Sequence, residues 1–186
     1  MKNSFGYLFL IVAGLLNAAG ALDAKEPAPL LHAHLQGFQE VPVVSTVATG
    51  EFRGVINPGD TSINYEFSYT GLQGNVTQAH IHIGQRNVSG GIVIWLCQTA
   101  ANPAPAGIPS VSQCTAGSGE FSGTITAANV VATPGPPNGG QQIFAGDFPK
   151  VLAAIRAGKA YANVHSNLSP GGEIRGQIKV VRDGKD

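Results

Sequence analysis

The chain has 186 residues, of which 43% are hydrophobic and only 12% are charged, and its 11 basic side chains balance its 11 acidic ones. A neutral chain lacks the basic field that attracts phosphates, which excludes sequence-independent binding of nucleic acid. An apolar fraction near the usual value predicts one packed domain, and 25 Gly and 12 Pro without a three-residue period indicate many turns between short strands.

The beginning of the chain has the pattern of a secretory signal peptide. Lys2 supplies a positive start, residues 5–16 form an apolar run, and small residues suited to cleavage end at Ala21. The apolar run is shorter than the roughly 20 residues that a bilayer span needs. We therefore expect residues 1–21 to be removed and a secreted or periplasmic domain, without a membrane span, to remain over residues 22–186.

An alternation of apolar and polar side chains dominates the rest of the chain, most clearly in residues 62–69. Strands are predicted at 30–36, 47–56, 62–69, 76–83, 91–97, 121–126, 159–166 and 173–181. Many short strands at close spacing favour an all-β fold, an antiparallel β-sandwich or barrel with an immunoglobulin-like or superoxide-dismutase-like Greek key.

Cys97 and Cys114 are the two cysteines, and they flank one loop. In an oxidising compartment such an even pair predicts a disulfide. The alternative, a pair of thiolate metal ligands, lacks the short Cys-x-x-Cys spacing of such sites.

The segment between Asp147 and Gly158 has a helical period instead. Its apolar side chains recur at three- and four-residue spacing, and Pro149 lies near its start. We predict one short helix here, between two late strands. The segments 98–118 and 132–142 are rich in proline and glycine and are predicted to be loops.

The five histidines are the main candidates for chemistry. His32 with His34 and His80 with His82 form two His-x-His pairs, and His165 ends a later strand. Positions i and i+2 of a strand point to the same face, so each pair presents two imidazoles side by side, as chelation requires. The residues between them are apolar and should face the core, so we expect the histidines to face outward. The alternative is that they are solvated surface residues.

The sequence also predicts a pH dependence for the histidines and a candidate partner for them. Imidazoles bind metal only when neutral, so the histidines should lose metal affinity as the pH falls below about 6.5. Glu173 is the carboxylate closest to the histidine motifs in the sequence and is a candidate to orient an imidazole. An ion pair between Glu173 and Arg175 on the same strand face is the alternative.

Three stretches in order resemble a known family. They are LQGFQEVPV at 35–43, AHIHIG at 79–84, and NVH at 163–165 followed by SPGGEIRGQI at 169–178. Over residues 30–180 the chain resembles the chordin-type domain, CHRD, and is similar to the single-domain secreted proteins that microbes make. The resemblance implies an all-β sandwich or barrel, and the family motif carries over onto His80, His82, His165, Glu173 and Arg175.

His32 and His34 depart from that family, whose strand usually has small or hydroxylated residues there. A weaker resemblance links the order of His-x-His, Val-His and Gly-Gly-x-x-Arg to copper-zinc superoxide dismutases. It would place copper on His80, His82 and His165, but the chain has no remaining histidine in its central loops to bridge two metals and no histidine cluster for a zinc.

The prediction from sequence is therefore a CHRD-domain protein that binds a transition-metal ion, with copper ahead of zinc because affinity for divalent ions peaks at copper. Three histidines leave an open position, which His32 or His34 would fill if the first strand lay beside the middle strand. Two alternatives stay open: an extracellular protein-binding module with structural histidines, and a superoxide-dismutase-like copper enzyme.

Overall fold

A computed structural model describes residues 28–133 and 140–181. The predicted signal peptide, residues 1–21, and part of the predicted loop 132–142 lie outside the described residues. No helix within the described ranges is long and apolar enough to cross a membrane.

Ten strands form a single sheet. They are β1 (Leu30–Gln36), β2 (Thr49–Ile56), β3 (Ser62–Thr70), β4 (Val76–Ile83), β5 (Gly91–Gln98), β6 (Ser112–Gln113), β7 (Gly119–Thr126), β8 (Ala160–Ser166), β9 (Ile174–Gln177) and β10 (Lys179–Val181). The strand order is β6-β5-β4-β8-β9-β1-β2-β3-β7, and β10 pairs with β1. The described pairings are antiparallel except that between β5 and β6. The predicted all-β fold is confirmed.

The sheet wraps around one hydrophobic core in a nearly closed barrel. In β3 the alternation predicted from sequence is observed, because its isoleucine and aromatic side chains are buried and its polar side chains are more exposed. Phe52 of β2 stacks on Tyr65 of β3, with ring centroids 6.0 Å apart. At the other end of β3, the hydroxyl of Tyr69 donates to the carbonyl of Thr115, which lies between β6 and β7. This bond links β3, which is next to one end of the strand order, to the segment that follows β6 at the other end.

The predicted helix and disulfide are confirmed. Helix α1 (Phe148–Arg156) buries its four core-facing apolar side chains, Phe148, Val151, Leu152 and Ile155. Asp147 precedes the helix, but its carboxylate pairs with Lys150 at 2.7 Å instead of capping a backbone amide. Cys97 and Cys114 form a disulfide with Cα atoms 5.1 Å apart. The short strand β6 lies inside segment 98–118, which was predicted to be a loop. A strand of two residues is too short to leave a pattern in the sequence.

Candidate metal centre

Three histidines from two neighbouring strands meet on the side of the sheet that faces away from the core. His80 and His82 lie on β4 and His165 on β8, where the register pairs His165 with Gln78. Their exposed fractions are 0%, 6% and 6%. The expectation that the histidines of β4 face solvent is therefore wrong. Ala79 and Ile81 do face the core, but the opposite side of the strand is covered as well.

The cover comes from the loops that follow the two strands and from a neighbouring strand. Gly90, in the loop between β4 and β5, contacts His82, and Pro170, in the loop between β8 and β9, contacts His165. Trp95 of β5 places its ring edge-on to His80, with centroids 4.3 Å apart. The three imidazoles thus occupy a small polar core of their own outside the hydrophobic one.

The distances between the imidazoles suit a shared cation. One ring nitrogen from each histidine can be chosen so that the three atoms lie within 4.8 Å of one another. Nδ1 of His80 is 3.2 Å from Nε2 of His165. Two nitrogens bound tetrahedrally to one ion at about 2.0–2.1 Å are about 3.3 Å apart, so this pair already has the spacing of two ligands.

Two backbone carbonyls determine which nitrogen of two rings carries the proton. Nδ1 of His82 lies 2.9 Å from the carbonyl oxygen of Gly90, and Nδ1 of His165 lies 2.9 Å from that of Pro170. A carbonyl oxygen only accepts, so each Nδ1–H donates and each Nε2 keeps a free lone pair. This is the arrangement by which proteins orient metal-binding histidines.

Two buried nitrogens have no partner among the described residues. They are Nε2 of His80 and Nε2 of His82. A buried polar atom without a hydrogen bond costs about 1–3 kcal/mol, so a native structure usually has a reason for it. Each imidazole offers one ion a single lone pair, so a cation bound to Nδ1 of His80 and Nε2 of His82 would satisfy Nε2 of His82 and leave Nε2 of His80 as the N–H of its ring. The donor set therefore fits a metal.

Burial keeps the three imidazoles neutral. It lowers the pKa of His80 to about 2, with smaller contributions from repulsion by His165 and His82. It also lowers the pKa of His82 to about 4, against the hydrogen bond to Gly90, and it lowers the pKa of His165. Neutral imidazole is the form that binds metal, and burial favours it at pH values below the ordinary 6.5.

Arg175 acts on the site through a loop. Its two terminal nitrogens donate to the carbonyls of Gln85 and Val88, each at 3.0 Å. These residues belong to the loop that ends at Gly90, whose carbonyl orients His82. Arg175 is therefore a positioning residue, 2% exposed, with its charge directed at backbone oxygens.

Glu173 plays neither of the roles considered from sequence. Its carboxylate accepts from the hydroxyl of Thr46 at 3.0 Å and from the backbone amides of Gln73 at 2.7 Å and Gly74 at 3.4 Å. No hydrogen bond or ion pair among the described residues joins it to an imidazole or to Arg175. Glu173 instead ties the segment after β1 to the turn before β4.

The structure does not bring His32 and His34 to the three-histidine cluster. They lie on β1, which β8 and β9 separate from β4 in the sheet. His32 lies 4.0 Å from the carboxylate of Glu51 and lines a separate pocket of about 800 Å³ beside residues of β2, β3 and β7. His34 is exposed.

Sequence reasoning assigned no role to two residues that lie beside the cluster. Asn163 of β8 is two positions before His165, and its Oδ1 lies 3.1 Å from Nε2 of that ring. Asn163 and His165 have i, i+2 spacing on one strand, which predicts that both side chains lie on the same face. Glu40 is buried in the segment after β1, beside Gly172. Glu40 lies inside the family-like stretch 35–43, but only the fold brings that segment to β8.

The fold and site define an all-β domain with a buried three-histidine cluster that can hold a metal ion. Residues 31–178 match the family model of the CHRD domain, and the chain belongs to this family. No curated protein and no solved structure matches the chain.

Proposed function

We propose that this CHRD-domain protein binds a transition-metal ion through His80, His82 and His165. The observation that carries the proposal is the buried, unpartnered Nε2 of His82, together with Nδ1 of His80 and Nε2 of His165, which lie 3.2 Å apart. Apolar residues would fill such a space at lower cost if the cluster served stability alone. The arrangement serves a ligand that needs nitrogen lone pairs.

Copper is the metal that we propose, with zinc second. Imidazole nitrogen suits both ions, and the affinity of a given site for divalent first-row metals peaks at copper. We also propose that the protein works in a secreted or periplasmic space. The disulfide between Cys97 and Cys114 supports that location because such bonds persist in oxidising compartments, and the signal-like pattern of residues 1–21 agrees with it.

The two His-x-His pairs provide a matched experiment. The protein without residues 1–21 is titrated with Cu²⁺ and Zn²⁺, and the copper form is examined by electron paramagnetic resonance for nitrogen ligands. We expect one tight site that is lost in the double variant His80→Gln with His82→Gln. The double variant His32→Gln with His34→Gln has the same change in composition on an exposed strand face and should keep the site.

The opposite result would contradict the proposal. If the β1 double variant lost the site and the β4 double variant kept it, His32 and His34 would be the ligands. If the wild-type protein bound neither ion tightly, the cluster would be structural.

A second candidate function is an extracellular protein-binding module. Phe38, Val43 and Val47 lie close together in the chain after β1 and expose 67%, 66% and 80% of their surface. Exposed apolar side chains in a group are typical of interaction sites. A pull-down that recovers one partner equally well with and without chelator, and that fails for Phe38→Ser, would favour this function.

The alternative of a superoxide-dismutase-like enzyme gains no support from Arg175. That idea requires a guanidinium at the open side of the metal, free to attract an anion. Both terminal nitrogens of Arg175 are instead engaged with the carbonyls of Gln85 and Val88, and the side chain is buried.

A further inference from the structure

Glu40 is a buried carboxyl group near the histidine cluster, and it is not one of the three proposed ligands. It is 6% exposed, and its Oε1 has no hydrogen-bond partner among the described residues. Gly172 leaves room for it, because a Cβ on Gly172 would collide with this oxygen and would lie 2.9 Å from Nδ2 of Asn163. The carboxyl of Glu40 and the amide nitrogen of Asn163 therefore share one space.

The other end of the Asn163 amide faces the cluster. Its Oδ1 lies 3.1 Å from Nε2 of His165. The proton of His165 is on Nδ1, where it is donated to Pro170, so the oxygen and Nε2 are two acceptors that face each other. Two lone pairs at that distance repel each other unless a cation lies between them. The separation is close to the about 3.3 Å expected between two ligands of one tetrahedral ion.

The charge around the cluster also requires an acidic partner. Three neutral imidazoles contribute no negative charge, and Arg175 is a nearby cation. A buried divalent ion is costly without opposite charge close to it. Glu173 is buried too, but its oxygens accept from Thr46, Gln73 and Gly74. Within residues 28–133 and 140–181, Glu40 is the buried carboxyl that keeps an oxygen without a hydrogen-bond partner.

We propose that Asn163 is a fourth donor of the metal centre through Oδ1, and that Glu40 holds the amide in this orientation and supplies negative charge to the bound ion. The inference rests on the proposed metal function. Burial raises the pKa of Glu40 to about 7, while Arg175, the backbone of Val41 and the Asn163 side chain act in the opposite direction. A cation in the cluster would add to those opposing influences and favour the carboxylate.

The test uses Co²⁺ as the probe, because its visible absorption reports the number and type of its ligands. In the protein without residues 1–21, Asn163→Leu removes the donor at nearly constant volume, and Glu40→Gln removes the charge. We expect Asn163→Leu to change the Co²⁺ spectrum and both variants to bind Co²⁺ about 10- to 100-fold more weakly, the usual cost of losing such partners. Asn64→Leu and Glu66→Gln, on the outer face of β3, are the controls. They should leave the Co²⁺ spectrum and the Co²⁺ affinity unchanged.

The melting temperature of the metal-free variants separates a ligand role from a structural one. Glu40→Gln should leave it unchanged or raise it, because the variant removes a buried acid. If Asn163→Leu does not fold, Asn163→Asp provides the answer, since it keeps an oxygen donor, adds charge and should bind Co²⁺ at least as tightly as the wild type. Wild-type affinity and spectrum in both Asn163→Leu and Glu40→Gln, or weaker binding by Asn163→Asp, would overturn this inference alone. A wild-type protein that does not bind Co²⁺, Cu²⁺ or Zn²⁺ would overturn the proposed function itself.

Discussion

The guanidinium carbon of Arg175 lies 3.4 Å from the centre of the Tyr161 ring. The same ring stacks on His82 with centroids 4.8 Å apart, and its hydroxyl accepts a hydrogen bond from the amide of Gly90 at 3.1 Å. Tyr161 therefore joins the arginine, the histidine and the loop that orients the histidine. A flat cation over an aromatic face is a favourable contact that a lysine does not reproduce, because the lysine ammonium is a point charge on a flexible stem.

Arg175→Lys tests this link. A lysine cannot donate to the carbonyls of Gln85 and Val88 at once while covering the ring, so the loop should loosen and His82 should lose its fixed orientation. We expect metal affinity to fall about 10-fold and amide hydrogen exchange in residues 84–90 to become faster. Arg53→Lys, at an exposed position of β2, is the control. Unchanged exchange in the loop would contradict the positioning role of Arg175.

Gly172→Ala should destabilise the protein by about 1–3 kcal/mol. Gly172 has φ +128°, a conformation that residues with a side chain rarely adopt, and an added Cβ would collide with Glu40. The adjacent Gly171→Ala is a matched control, because a Cβ there has no neighbour within 4 Å. Urea denaturation of the two variants measures the difference. Equal stability would mean that the contact with Glu40 does not constrain this turn.

The stability of the metal-free protein should rise with pH up to about 6.5. The folded-state pKa values of His80 and His82 are about 2 and about 4, below the ordinary 6.5, so at lower pH the unfolded chain binds more protons than the folded one. Each such proton raises the free energy of unfolding by about 1.4 kcal/mol per pH unit as the pH increases. Urea denaturation in the presence of a chelator, between about pH 4.5 and 7.5, measures the slope. A flat curve would mean that the imidazoles are solvated.

Glu40 should reduce that slope. Its folded-state pKa of about 7 is above the ordinary 4.5, so between these values the folded protein holds an extra proton and loses stability as the pH rises. In Glu40→Gln the rise in unfolding free energy should steepen by up to about 1.4 kcal/mol per pH unit in that window. Glu66→Gln serves as the exposed control. An unchanged slope in Glu40→Gln would show that Glu40 is ionised in the metal-free protein.

Between about pH 7 and pH 5 metal affinity should fall by at most about one factor of ten per pH unit, because Glu40, with a pKa of about 7, takes up a proton in the metal-free protein. The imidazoles of His80 and His82 stay neutral in the folded protein over that range, so protons do not compete for their lone pairs. Three exposed histidines would instead lose up to about three factors of ten per pH unit below 6.5. Competition with a chelator of known affinity at several pH values distinguishes the two. A steep profile would contradict the burial of the ligands.

Replacing both Cys97 and Cys114 by serine should cost about 3 kcal/mol of unfolding free energy, as expected for a loop whose cysteines are 17 positions apart. The bond ties β5 to the segment after β6, where Gln98 and the backbone of Cys114 add a single hydrogen bond at 2.8 Å. Denaturation with and without reductant measures the loss, and reductant should have no effect on the double variant. A loss below about 1 kcal/mol would mean that the loop is held by other contacts.

Many of the strands and the helix could be predicted because they follow from the spacing of apolar side chains over a few neighbouring residues. Strands β1 and β4 were predicted at their observed bounds, because apolar and polar side chains alternate along both segments. In β1 this alternation corresponds to core and surface, whereas both sides of β4 are largely buried. Helix α1 was predicted from its spacing of apolar residues between Pro149 and Gly158. The pairing of His80 with His82 on one face of a strand is equally local, since the i, i+2 geometry belongs to any strand.

Tertiary structure alone decided which histidines could form a site. His32 with His34 and His80 with His82 have the same sequence pattern, and the strand order puts β8 and β9 between them. Only the second pair is covered by loops, and the loop over His82 is held by bonds from Arg175 to Gln85 and Val88 that span 90 and 87 positions, which no local pattern records. The same reason hides Glu40, which reaches Asn163 across 123 positions. The sequence therefore determined which side chains could bind a metal, while the packing of loops over β4 and β8 decided which of them are buried, neutral and within reach of one ion.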